Sequence, residues 1–315
     1  MFHNTRATIV GAVAFLASSV ALASSCPEGY PGDNLNFFVG YGAGGGTDTV
    51  ARKVASDLEK STGWTVVVEN KPGASGGVMA SGLTRTDPDG LTIGVVSNTT
   101  VAINPHVNPD IGYTHEDFSY LGTGMVLNYG LVTLADNPFS TLEEFVAMAK
   151  EKGRATVSVG ASSHTIAVDA IADHFDISLI AIPGKGSAAA LQEALGGHVD
   201  ATIQGTQHVP QIKAGKMVQL ATLTENRALY APDAKTLQES GVDLSIEGHI
   251  IFIAPKGTPT DIAACLSESL AQVTASDDYA SYMAGLETTA GNMGADGTTA
   301  WVSKASEFYR EHLAK

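Results

Sequence analysis

Short apolar runs rich in β-branched residues alternate with longer stretches whose apolar positions return every three or four residues. The short runs fall at 34–39, 65–69, 91–96, 129–134, 156–159, 179–182, 201–203, 218–223 and 250–254, and they predict strands. Between them, 47–60, 141–152, 165–175 and 187–195 predict helices. Val50, Val54 and Leu58, four residues apart, give the first of these one apolar face. Gly196-Gly197 is a helix stop. The chain closes on three further helical stretches, 261–273, 277–286 and 298–313. Strands alternating with helices predict an α/β protein with parallel sheets flanked by helices. Two crossings, near 122–125 and 247–249, divide the chain into a first domain built from both ends, 24–123 with 249–315, and a second domain, 124–248. Two crossings also predict a hinge of two strands around a ligand cleft. In open α/β sheets ligands sit beyond the carboxyl ends of strands, so the loops that follow strands carry the candidate chemistry.

The first residues stand outside this alternation. Segment 1–6 carries one cation, Arg6. Segment 7–22 is apolar or small throughout, and Ala21-Leu22-Ala23 follows as a small-x-small cleavage pattern. These parts predict a signal peptide over 1–23 and a periplasmic mature protein. The apolar run is shorter than the ~20 residues of a spanning helix, which disfavours a membrane anchor. A lipid anchor at Cys26 is also disfavoured, because Ala23 stands where a lipoprotein signal places a large aliphatic residue. No later run approaches a membrane span. The formal charge of -15 excludes a basic footprint for nucleic acid. It also means that an anionic ligand must be held by local dipoles and hydrogen bonds. Cys26 and Cys265 would persist as a disulfide in an oxidising compartment. A buried thiol at Cys265, with Cys26 free or lipidated, is the alternative.

The densest motif is Gly40-Tyr41-Gly42-Ala43-Gly44-Gly45-Gly46-Thr47-Asp48, which follows a strand and opens a helix. Its glycines let the backbone approach a ligand, and the helix N-terminus favours an anion. Asp48 falls in the first helical turn, either near the ligand or as a capping carboxylate. Gly40-x-Gly42-x-x-Gly45 also spells the dinucleotide fingerprint, with Glu69 ending the next strand. No second motif supports hydride chemistry, and an exported chain has little access to nicotinamide cofactors. Gly73-Ala74-Ser75-Gly76-Gly77 spells a nucleophile elbow, but Asn70-Lys71-Pro72 separates it from its strand, so it reads as a glycine-rich loop. The histidines outside the leader show no metal-ligand spacing. Neutral polar loops recur at strand ends: Ser97, Asn98 and Thr99; then Ser162, Ser163 and His164 at a helix start, where either serine would also serve as an N-cap. Lys185 lies in 183–187 and would meet a carboxylate or solvent. Such loops suit recognition by hydrogen bonds rather than acid–base chemistry, so the expectation is a binding protein without cofactor or metal, not an enzyme.

From residue 34 onward these segments resemble the substrate-binding proteins of tripartite tricarboxylate transporters, the Bug or TctC family. The resemblance rests on Gly44-Gly45-Gly46-Thr47-Asp48-Thr49-Val50-Ala51-Arg52 and Val66-Val67-Val68-Glu69-Asn70-Lys71-Pro72-Gly73-Ala74. Asp87-Pro88-Asp89-Gly90, Ile103-Asn104-Pro105, Lys185-Gly186-Ser187, Gly196-Gly197-His198-Val199-Asp200, Ala214-Gly215-Lys216 and Ala254-Pro255-Lys256-Gly257-Thr258-Pro259 follow in order. It implies a two-domain periplasmic-binding-protein fold of type II-like form. It also implies that the first loop's N–H groups, with ordered waters, grip one carboxylate while second-domain loops select the rest. Tyr41, Gly44, Gly45 and Asp48, then Ser97, Asn98 and Thr99, then Ser162, Ser163 and His164 are the site residues it implies. Both chain ends fall in the first domain, which makes a Cys26–Cys265 disulfide feasible. The implied partners are a small organic carboxylate and the transporter's membrane subunits, with the binding protein a monomer. A sensing subunit for a membrane histidine kinase is the alternative, since it needs the same cleft. Gly184 and Gln204 stand where relatives commonly carry tyrosine and aspartate, and Glu247-Gly248-His249 replaces a frequent aromatic-containing segment. With Lys185 and His164 nearby, Gln204 would then favour a ligand with a carboxylate at each end over a cationic amino acid.

Overall fold

The structure, a computed structural model, describes residues 26–313. The expected leader over 1–23 lies outside the described residues. The first elements are β1 (Leu35–Val39), α1 (Gly46–Thr62), β2 (Val66–Asn70), α2 (Gly77–Leu83), β3 (Thr92–Ser97), α3 (Asn104–Val107) and β4 (Phe118–Leu127). Next come β5 (Gly130–Leu134), α4 (Leu142–Lys152), β6 (Ala155–Val159), α5 (Ser162–Phe175), β7 (Leu179–Pro183), α6 (Ser187–Leu195), β8 (Ala201–Gln204), α7 (Val209–Lys213) and β9 (Met217–Thr222). The chain ends with β10 (Gly248–Pro255), α8 (Thr260–Thr274), α9 (Asp277–Gly285) and α10 (Gly294–Leu313). Among the described residues no helix is long and apolar enough to cross a membrane.

Two five-stranded sheets result, ordered β2-β1-β3-β10-β4 and β7-β6-β8-β5-β9. In each, four strands run in one direction and one, β10 in the first sheet and β5 in the second, runs antiparallel between two of them. The expected strands all form. The sequence reading missed β4, which it took for a connection. Gly122 and Gly124 interrupt its apolar pattern, and the reason is tertiary. A Cβ on Gly124 would stand 2.8 Å from Val50 and 3.0 Å from the Phe252 ring, and one on Gly122 would stand 2.6 Å from Asn292. The strand has to be thin where helices and β10 press on it. β4 then pairs with β10 from Gly248↔Leu127 to Pro255↔Phe118. The two passages between sheets thus lie side by side, as a two-strand hinge requires.

Burial follows the sequence period. Val50, Val54 and Leu58 of α1 are fully buried against β1, where Leu35, Phe37 and Val39 are also inaccessible. Each such side chain contributes about 1.5–3 kcal/mol on leaving water. Phe37 meets Phe252 of β10 with ring centres 6.2 Å apart, and the buried Tyr279 of α9 donates its hydroxyl to the Gly124 carbonyl at 2.9 Å. β1 and α1 are therefore fixed in a rigid frame, and with them the loop between them.

A disulfide joins Cys26 to Cys265 of α8, with Cα atoms 4.6 Å apart. That bond and a lipid on the Cys26 sulfur exclude each other. Because the bridge spans 239 residues of sequence, it restricts the unfolded chain strongly. A Cys26→Ser/Cys265→Ser chain is expected to lose about 2–5 kcal/mol of stability. Urea unfolding measures this, and an unchanged midpoint would count against the bridge.

Candidate functional site

The loop from β1 to α1 is braced from within. Asp48, in the first turn of α1, accepts from the Gly44 N–H at 2.9 Å, from Arg52 Nε at 3.1 Å and from Asn70 Nδ2 at 2.8 Å. Arg52 Nη2 completes the ion pair at 3.0 Å. Burial alone would raise this carboxyl, but the Arg52, Gly44 and Asn70 bonds outweigh it and hold the pKa below its ordinary value. Asn70 also donates to the Tyr41 carbonyl at 3.0 Å. Gly44 has φ +79°, a conformation that favours glycine. Gly44 and Asp48 thus satisfy each other and fix the loop, the bracing part being one of the two open to Asp48 from sequence. Neither lines the small cavity between the sheets, whereas Gly44 borders a larger space beside it. The N–H groups of Gly46 and Thr47 remain at the open start of α1, where no preceding helical carbonyl serves them.

Tyr41 turns its buried hydroxyl to Ser97 Oγ at 2.6 Å and Thr100 Oγ1 at 3.1 Å, and donates to the Ser75 carbonyl at 2.9 Å. Burial raises its pKa, offset in part by the two hydroxyl bonds. Ser75 itself has φ +51°. Its carbonyl is gripped by Tyr41, Thr100 and Asn104, which offsets the cost of that backbone. The serine of the apparent nucleophile elbow is thus a bracing residue.

From the other sheet comes the loop between β6 and α5. A Cβ on Gly160 would lie 2.4 Å from the Ser187 nitrogen, so only glycine lets the starts of α5 and α6 approach this closely. His164 Nδ1 accepts the Gly160 N–H at 3.2 Å. That bond assigns the imidazole proton to Nε2. The ring stands edge-on to Tyr129, centres 5.0 Å apart. Burial depresses the pKa of His164 to about 3, so the ring is neutral at physiological pH. Its Nε2 is buried and has no hydrogen-bond partner among the described residues.

These groups border a small, partly open cavity between the sheets, about 30 Å³ in volume, lined by Tyr41, Thr47, Ser97, His164, Ser187 and Gln207 among others. No Asp, Glu, Lys or Arg is among its lining residues. A larger groove of about 520 Å³ runs along Val126–Asn128 and 224–229 on the hinge side. It does not lie at the carboxyl ends of the parallel strands and is not the candidate site.

Of the residues expected from the sequence, Tyr41, Gly45, Ser97 and His164 border the cavity. Others hold the two halves together around it. The Ser162 N–H donates to Ser75 Oγ at 2.9 Å, and Ser162 Oγ donates to Asn104 Oδ1 at 2.7 Å. Thr99 Oγ1 donates to Ser163 Oγ at 2.9 Å. Lys185 meets the first loop through its carbonyl, which accepts the Gly42 N–H at 3.1 Å; the residue as a whole is exposed. Asn98 donates to the Glu247 carbonyl at 3.2 Å. Gln204 is buried inside the second sheet and donates to Thr202 Oγ1 at 2.7 Å. The sequence-based grounds for a second carboxylate, Gln204 and the Lys185 ammonium, are therefore not in this cavity. Sequence reasoning missed Thr47, Tyr129, Ser187 and Gln207 as lining residues. Thr47 and Ser187 sat within motifs already recognised, whereas Tyr129 and Gln207 carry no local signal.

A family model described as the tripartite tricarboxylate transporter family receptor matches residues 50–307. A UPF0065 protein from the gbd 5' region of Cupriavidus necator is 30% identical over 277 residues, covering 87% of this chain and 84% of the relative. A UPF0065 protein from Agrobacterium vitis is 32% identical over 266 residues, covering 82% and 76%. The solved periplasmic binding protein BugD superposes with a TM-score of 0.84 at 27% identity, over 90% of this chain and 98% of BugD. R. palustris Rpa4515, solved with adipate, gives 0.84 at 25% identity, over 90% and 97%. Two sheets closed on a cavity of neutral donors, together with these matches, make the chain a member of the TctC (Bug) family of periplasmic solute-binding proteins, which bind their substrates and are not enzymes.

Proposed function

We propose that the chain captures a small organic carboxylate in this cavity and delivers it to the membrane subunits of a tripartite tricarboxylate-type transporter. One observation carries the reading. The N–H groups that open α1 at Gly46 and Thr47 share one cavity with the buried, unpartnered Nε2–H of a neutral His164. Donors without acceptors, at the positive end of a helix, favour an anion of carboxylate size. With no lysine or arginine in the lining, the negative charge is met by dipoles alone. An ammonium group would find no acidic partner there. In this reading the lobes divide at 24–123 with 249–315 and at 124–248, the leader over 1–23 is removed on export, and β4 with β10 is the hinge on which a monomer opens to load. The adipate held by R. palustris Rpa4515 supports the ligand class.

Thermal unfolding of the purified mature chain against a carboxylate library tests it. A ligand present at a hundred times its Kd raises stability by about 2.7 kcal/mol. The same ligand, recovered by mass spectrometry, is expected unchanged. Gly45→Val is expected to weaken it at least about tenfold, or roughly 1.4 kcal/mol. A Cβ at Gly45 meets only the Gly42 carbonyl, at 3.4 Å, so the variant folds while its branches enter the cavity. Full affinity in that folded variant, or stabilisation only by ligands without a carboxylate, overturns the reading.

A further inference from the structure

Taking the carboxylate reading as its basis, we infer that the ligand is longer than the cavity that holds its head, and that Gln207 is the gate through which its chain passes. The head cavity measures about 30 Å³, whereas a second space of about 390 Å³ lies beside it, also between the two sheets. Both are lined by Gly46 and Gln207. The amide of Gln207 lies across the gap. Its Nε2 stands 2.8 Å from where a Cβ on Gly46 would be, and its Oε1 stands 3.3 Å from where a Cβ on Gly205 would be. Glycine on both sides leaves the amide its place. Gln207 is half-buried and sits in the loop after β8, so a side-chain rotation, without movement of the sheet, joins the two spaces.

The chemistry of the second space names the ligand's remainder. It is bordered by Thr49, Ala188, Leu191, Thr206, Pro210 and Leu286, and no charged residue lines it. The head cavity takes a group of only a few heavy atoms, the size of a carboxylate, since one water needs about 10–15 Å³ of such space and the cavity offers about 30 Å³. The ligand is therefore a carboxylate whose uncharged, largely aliphatic chain runs from the α1 N-terminus past Gln207 and along α6. Gln207 sets the length that is accepted, and Ala188, on the first turn of α6, faces the chain.

Calorimetry with straight-chain monocarboxylates, propanoate, hexanoate and octanoate, tests this on the mature full-length chain. Affinity is expected to rise at least about tenfold from propanoate to hexanoate as methylenes enter the second space. In Ala188→Phe, whose side chain fills that space, the ratio of hexanoate to propanoate affinity is expected to fall at least about tenfold. In Gln207→Ala the ratio of octanoate to propanoate affinity rises, because the gate is gone. Ala188 and Gln207 are both part-buried at the cleft rather than in the core, and thermal unfolding verifies each fold. Binding of propanoate with no gain along the series, or with ratios untouched by both variants, overturns the inference and leaves the carboxylate reading standing. Failure of every carboxylate to bind overturns the carboxylate reading and this inference with it.

Discussion

An Asp48→Ala chain is expected to bind its carboxylate at least about a hundredfold more weakly, a loss of roughly 2.7 kcal/mol, although Asp48 does not border the cavity. Its carboxylate receives the Gly44 N–H, the Asn70 amide and the Arg52 guanidinium, and the side chain is 5% exposed. Removing it leaves the Gly44 N–H and one N–H of the Asn70 amide without an acceptor. Each donor left without an acceptor costs up to about 1–3 kcal/mol, whereas the half-exposed Arg52 guanidinium turns to water and adds little. The loop relieves that cost by rearranging, and the N–H groups of Gly46 and Thr47 lose their aim. Calorimetry with the ligand found in the library screen measures the effect. Arg52→Ala sets the scale: its side chain is half exposed, so its loss is expected to cost much less. Equal losses in the two variants would mean that Asp48 acts only through its ion pair, and undiminished binding in Asp48→Ala would show that the brace is dispensable.

Acidification from pH 6.5 to about pH 4.5 is expected to remove about 4 kcal/mol of folding stability through two histidines alone. Burial depresses His164 to about 3. Burial also depresses His208, offset in part by its bonds to Gln219 and Gly205, to about 4. Both ordinary values are 6.5, so below that pH the unfolded chain takes up protons that the folded chain refuses. Stability is full above pH 6.5 and falls as the pH drops toward the folded values, by about 1.4 kcal/mol per unit for each histidine. Asp48 and Asp200, whose carboxyls are both held below their ordinary value of 3.8, act in the same direction but chiefly below this range, as the pH falls through that value. Urea unfolding across this range measures the slope, and His208→Gln is expected to remove about half of the histidine contribution. A flat profile would mean that these rings are not buried as described. Between pH 6.5 and 8 His164 stays neutral, so ligand affinity is expected to change little there.

The two predictions separate what each level of organisation supplies. The alternation of apolar runs with helical periods was enough to give the apolar face of α1 and every strand except β4. These are local properties, written in the spacing of residues such as Val50, Val54 and Leu58. The glycine-rich segment at 40–48 was legible as an anion loop for the same reason, because a helix start and its glycines are contiguous in sequence. β4 was not legible, because Gly122 and Gly124 answer to Asn292, Val50 and Phe252, all remote in the chain. The division of labour among the candidate residues was also beyond reach. Spacing placed Gly44, Asp48, Thr99, Ser162 and Ser163 at the right strand ends. Which of them point into a cavity, and which bind one another, depends on how the two sheets meet. Tertiary structure gave Asp48 to the loop, Ser162 and Ser163 to the closure of the cleft, and His164 to the cavity as a neutral donor. It also brought in Gln207, which no motif announces. The sequence determined the elements and the dipole that faces the ligand, because both arise from neighbouring peptide units. The lining of the cavity was decided only by packing, because a hydrogen bond between Thr99 and Ser163 joins residues that nothing along the chain pairs in advance.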